Sequence, residues 1–122
     1  MTIYKYRNFH LWAKSENLTD EMLTQAVDEM KNGLFDVNLG GGLYKKRVAM
    51  QGKGKSGGFR TLIAFKHEKA AFFIYGFAKN VRENITEKEK EVYKKLSKYY
   101  LNTTDVQMSI LVKNGELVEV SK

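Results

Sequence analysis

At 122 residues and 43% hydrophobic, with seven Tyr, seven Phe and one Trp, the chain has apolar surface enough for one domain with one core and is not a disordered tail. Cysteine is absent, which excludes disulfides and thiolate metal sites. The longest uncharged apolar run, Ala70 to Ala78, is far below the roughly 20 residues of a membrane span, and Met1 to His10 carries no secretory signal. A cytoplasmic protein without a membrane partner is expected, and a formal net charge of +7 points to an anionic one.

In chain order, Arg7 to Ser15 predicts a short helix with Phe9, Trp12 and Ala13 on one face. A second helix follows Thr19, an N-cap residue, with Asp20 and Glu21 at the positive end of its dipole. Leu23, Ala26, Val27 and Met30 keep helical spacing, and Gly33 ends the run. Leu43 to Met50 alternates as a strand, with Tyr44, Lys46, Val48 and Met50 on one face and Lys45, Arg47 and Ala49 on the other. Gly58 to Lys66 and the nearly all-apolar Ala70 to Phe77 predict two more strands, the last buried on both faces. His67-Glu68-Lys69 makes them a hairpin, and the loop Gln51 to Gly57 joins the first two strands, also antiparallel. A helix opens at Thr86, which has capping-box spacing to Glu89, and carries Val92, Tyr93, Leu96 and Tyr100 as its apolar stripe. For the tail there are two readings. Asn114-Gly115 turns a hairpin, or Thr104 caps a short helix that Gly115 ends before a last strand from Leu117 to Val120; the helical reading is preferred.

The charge is concentrated. From Val37 through His67 there is no Asp or Glu, but there are Lys45, Lys46, Arg47, Lys53, Lys55, Arg60 and Lys66, together with seven of the ten glycines. With those seven cations set aside from the 21 Lys and Arg, the other 14 match the 14 acids, so the whole excess sits in one stretch. Gly54-Lys55-Ser56 hints at a nucleotide P-loop, but Ala49 stands where its first glycine belongs and a strand, not a helix, follows. Glycine and lysine in alternation suit close approach to a nucleic-acid backbone instead, with Lys53 and Lys55 as RNA contacts. Lys45 and Arg47 share a strand face; paired strands bring Arg60 opposite them, and Lys79, Asn80 and Arg82 follow the third strand. These cations then converge at one edge of a sheet. His10 and His67 have no metal-ligand spacing, and no metal or cofactor is expected. Asp28, Glu29, Glu87, Glu89 and Glu91 read as solvated helix faces.

Three blocks carry a family resemblance. Leu39-Gly40-Gly41-Gly42-Leu43-Tyr44-Lys45-Lys46-Arg47-Val48-Ala49, Gly52-Lys53-Gly54-Lys55-Ser56-Gly57-Gly58-Phe59-Arg60 and Tyr75-Gly76-Phe77-Ala78-Lys79-Asn80 together resemble the RelE-type toxins of bacterial toxin–antitoxin systems, closest to the HigB-like branch. The resemblance implies an α+β fold, two N-terminal helices packed on a small antiparallel sheet plus a C-terminal helix. It implies an endoribonuclease that cuts mRNA in the ribosomal A site, using the 2′-hydroxyl of the message and no metal, and a cognate antitoxin, of helix-turn-helix type, as a partner beside the ribosome and mRNA. By motif, Lys45 and Arg47 match the cations in base and phosphate roles, Arg60 the arginine that stabilises the transition-state phosphate, and Lys79 a further catalytic cation. Lys46, Phe59, Asn80 and Arg82 join the expected RNA contacts. Asn80 stands where the better-known members carry an arginine, for which Arg82 is the substitute. No aromatic occurs around Ile85 and Thr86 to stack on a base, leaving that role to Phe59 or Tyr44. A lysine crowded by Arg47 and Arg60 has a reason to lose its proton near neutral pH, because neighbouring positive charge disfavours its protonated form. The assignment of acid and base stays open. A gyrase inhibitor of the ParE type and a non-catalytic RNA- or ribosome-binding module are the rival readings.

Overall fold

The computed structural model describes residues 1–50 and 54–121. Its elements run β1 (Thr2–Tyr6), α1 (Arg7–Ser15), α2 (Asp20–Lys31), β2 (Val37–Gly40), β3 (Leu43–Met50), β4 (Gly54–Lys66), β5 (Ala70–Ala78), α3 (Glu87–Leu101), α4 (Asp105–Lys113) and β6 (Leu117–Glu119). The helix ends follow their local chemistry. Thr19 Oγ1 accepts the Met22 N–H at 3.2 Å to start α2, and Gly33, at φ +81°, lies just beyond its end. Thr86 and Glu89 form a reciprocal capping box on α3, and Thr104 and Gln107 form another on α4. The tail is therefore the helix and strand, with β6 ending one residue before Val120.

The six strands form one sheet in the order β2-β3-β4-β5-β1-β6. The β3–β4 and β4–β5 pairs are antiparallel, as their short connections require. β1 is the correction to an all-antiparallel sheet, because it lies parallel to β5, from Thr2 opposite Ala70 to Lys5 opposite Phe73. Thr2, Ile3, Tyr4 and Tyr6 are strand formers, but the run is short, it is interrupted by Lys5, and its partner comes far along the chain. Lys5 is buried all the same, its ammonium 2.7 Å from Asp20 on α2. β4 also starts four residues earlier than the strand propensities indicate, so residues 54–57 of the expected loop are strand, while residues 51–53 lie outside the described residues. Lys53 and the side chain of Lys55 lie outside the described residues.

Helices cover both faces of the sheet. On one, Phe9, Ala13, Leu23, Val27 and Met30 of α1 and α2 pack on Val48, Phe59, Ile63 and Phe73. On the other, Tyr100, Leu101 and Leu111 of α3 and α4 pack on Leu43, Leu62, Phe72 and Leu117. Each large apolar side chain fully buried this way contributes roughly 1.5–3 kcal/mol of transfer free energy. At Gly76 the sheet meets Trp12 so closely that a Cβ there would sit 2.2 Å from the indole. β5 is thus enclosed on both faces, as its apolar sequence predicts. Among the described residues no helix is long and apolar enough to cross a membrane.

Candidate functional site

Alternation along β3 divides its cations. Tyr44, Lys46 and Val48 turn to α1 and α2, while Lys45 and Arg47 share the opposite face with Leu43. That face is apolar where α3 packs on Leu43 and Leu62, and turns cationic two residues further along each strand. Arg47 stands directly opposite Arg60 of β4, and Lys45 opposite Leu62. On its other side Arg60 pairs with Phe77 of β5. Strand pairing therefore brings Lys45, Arg47 and Arg60 together on one surface.

Arg60 is only 7% exposed, and its buried Nη1 has no hydrogen-bond partner among the described residues. Leaving a charged donor unsatisfied next to another guanidinium is costly, and an arriving anion removes the cost. Arg47 is more exposed and reaches one carboxylate, with Nε 3.6 Å from Asp36 Oδ1. Asp36 is itself fixed to the strand, its N–H donating to the Lys45 carbonyl at 2.9 Å. Lys45 Nζ donates to Asn84 Oδ1 at 2.9 Å. Partial burial, and then the positive charge of Arg60, hold the Lys45 ammonium pKa below its usual value, with the Asp36 carboxylate pulling the other way.

The segment after β5 closes this surface. Arg82 Nε donates to the Asn84 carbonyl at 2.9 Å, its Nη1 to the Tyr75 hydroxyl at 3.1 Å, and its Nη2 pairs with Glu89. The guanidinium carbon also lies 5.9 Å from the centre of the Tyr75 ring. Arg82 first, and then the Thr86 N–H, hold the Glu89 carboxyl down at about 2. Arg82 is thus engaged within the chain, tying the segment to β5 and to the start of α3. Lys79 and Asn80 are exposed in the turn that follows Ala78.

Two expected RNA contacts sit away from the cluster. Lys46 is 3% exposed on the α2 side, with its ammonium 2.6 Å from Glu29 Oε1. Phe59 is 1% exposed on that side too, edge-on to Trp12 at 5.3 Å between ring centres. Tyr44 faces the same way, against Phe35 and Phe65. The reason is the two-residue period of the strands, which sends neighbours of the cluster to the opposite face. Sequence reasoning missed Asp36 and Asn84. Asp36 had one signal, since it is the last acid before the acid-free stretch. Asn84 had none.

The family model described as the RelE toxin of the RelE/RelB toxin–antitoxin system matches residues 1–120. The chain belongs to the RelE toxin family. The mixed sheet with helices on both faces is compatible with the RelE-like fold, and a RelE-family toxin is one member of a toxin–antitoxin pair. Chemically, the cluster in this RelE-family toxin offers two guanidiniums to bind and neutralise a phosphate, and beside them an amine with reduced affinity for its proton.

Proposed function

We propose that this RelE-family toxin is a ribosome-dependent mRNA endoribonuclease of the HigB-like branch, acting as a single domain in the cytoplasm without a metal and neutralised by a cognate antitoxin of helix-turn-helix type. The observation that carries the reading is the buried Arg60 guanidinium, unpartnered at Nη1 among the described residues and opposite Arg47, with Lys45 on the same face. In the proposed reaction Lys45, as the neutral amine, takes the proton from a message 2′-hydroxyl. The 2′-oxygen attacks the adjacent phosphorus, and the bond to the 5′-oxygen breaks, leaving a 2′,3′-cyclic phosphate and a 5′-hydroxyl once that oxygen is protonated. Arg60 and Arg47 stabilise the charge that builds on the phosphoryl oxygens. Lys79 extends the cationic surface past β5, and Asn80 lies beside it as a contact for the message. Lys53 and Lys55 dock on ribosomal or messenger RNA.

The experiment is cleavage of a defined message on programmed ribosomes, with the new ends mapped by primer extension. Cuts that need the ribosome and vanish in Arg60→Ala support the proposal. Salt-sensitive ribosome binding with no new ends would leave a binding module, and inhibition of DNA supercoiling would leave a gyrase toxin.

A further inference from the structure

We propose that Asn84 is a positioning residue for the reaction, holding Lys45 so that its amine faces the message. The inference rests on the reading of Lys45 as proton acceptor and deepens it.

The geometry is specific. Asn84 makes three contacts with separate consequences: its Oδ1 accepts from Lys45 Nζ at 2.9 Å and from the Ile85 N–H at 2.8 Å, and its carbonyl accepts from Arg82 Nε at 2.9 Å. The Ile85 and Arg82 bonds fix the residue to its own segment, and Arg82 fixes that segment to Tyr75 and Glu89. The amide oxygen therefore approaches Lys45 from a braced support and not from a free side chain. A neutral primary amine has two N–H bonds and one lone pair. If Asn84 Oδ1 holds one N–H, rotation about the Cε–Nζ bond is restrained and the lone pair is aimed by a group that never enters the reaction. Lysine is otherwise a flexible tether with three rotatable donors, badly suited to an acceptor role without such a hold.

Asn84 is also electrically neutral, which matters here. The charged groups acting on Lys45 are Arg60 from β4 and Asp36 ahead of β2; Arg47 on the same strand face is paired with Asp36, while Arg82 and Glu89 beyond Asn84 neutralise one another. A carboxylate in place of the amide would hold the same N–H but would stabilise the ammonium and keep the proton on Lys45. An amide holds the group without that effect.

The test compares Asn84→Asp, Asn84→Ala and Lys45→Ala, each checked by thermal melting, in single-turnover cleavage on programmed ribosomes as a function of pH. Asn84→Asp retains an acceptor for Ile85, so a purely structural role predicts a nearly normal profile. Positioning predicts instead that its acidic limb moves up by about one pH unit. Asn84→Ala is expected to cut the plateau rate by about tenfold to a hundredfold, with KM and the acidic limb little changed. Adding Asn84→Ala to Lys45→Ala should cost nothing more, because the two act as one unit. An unmoved limb in Asn84→Asp and a normal plateau rate in Asn84→Ala, while Lys45→Ala is inactive, would overturn the positioning role and leave the function intact. Full activity in Lys45→Ala would overturn both.

Discussion

Arg47 and Arg60 face each other directly across β3 and β4, two guanidiniums on one surface, with the Asp36 carboxylate at ion-pair distance from Arg47. Like charges in opposed strand positions are destabilising, and Arg60 adds a buried donor without a partner among the described residues. Function and stability therefore conflict at this pair. Arg60→Met keeps the length and removes the charge. It should raise stability by about 1 kcal/mol, or a melting temperature higher by roughly 3–6 °C, while abolishing message cleavage. A lower melting temperature would show that Arg60 is satisfied in the free protein.

Asp36 tempers the cluster. Its carboxylate raises the proton affinity of Lys45, so Asp36→Asn removes an upward pull and lowers the pKa further. Cleavage in this variant should persist to lower pH than in the parent. Ribosome binding should also tighten, most at low salt, where the added net positive charge is least screened. Titrated cleavage rates and binding at two salt concentrations measure both effects, and an unshifted pH profile would dissociate Asp36 from Lys45.

The Lys5–Asp20 pair makes acid sensitivity a property of the fold as well as of the site. Burial alone would raise the Asp20 pKa, but hydrogen bonds from Lys5 and from the Ser121 N–H outweigh it and hold the carboxyl below its usual value. A pKa lower in the folded than in the unfolded chain gives stability that is fully present above about pH 4 and is lost as pH falls through the folded value. Asp20→Asn should flatten that acid limb. It should also cost about 3 kcal/mol at neutral pH, because it leaves the Lys5 ammonium buried without its counter-charge. Urea unfolding at several pH values reads both.

Gly76 has no room for a side chain. Its hypothetical Cβ lies 2.2 to 2.8 Å from three atoms of the Trp12 ring, so Gly76→Ala must push α1 off β5. A loss of roughly 1–3 kcal/mol is expected, with a changed Trp12 fluorescence reporting the displaced ring. An unchanged melting temperature would mean that α1 moves without cost.

Legibility in the sequence followed the range of the interaction. Helix bounds were readable because Thr19, Thr86 and Thr104 cap through contacts three residues away. The cationic face was readable because alternation is a local rule, and the same rule separated Lys46 from Lys45 and Arg47. Applied to β4, it also sends Phe59 to the face opposite Arg60, where Phe59 is core. β1 went unread although Thr2, Ile3, Tyr4 and Tyr6 are strand formers, because five residues interrupted by Lys5 make a short run, the partner strand β5 is distant in the chain, and the reason Lys5 is buried lies in α2. Asp36 and Asn84 reach the site through space, one across a bulged strand pair and one from a turn far along the chain, and no spacing encodes such a meeting.

β1 lies between β5 and β6, so the earliest strand to be synthesised is flanked by two of the latest. The first edge cannot be satisfied until β5 exists, and the second, where Tyr6 meets Leu117 and Val120 N–H reaches Ile3, must wait for β6. Such distant pairings slow folding, since loop entropy is lost before the contacts form. A nascent chain thus carries β1 unpaired until β5 has emerged, and the sheet cannot be completed before β6 follows it.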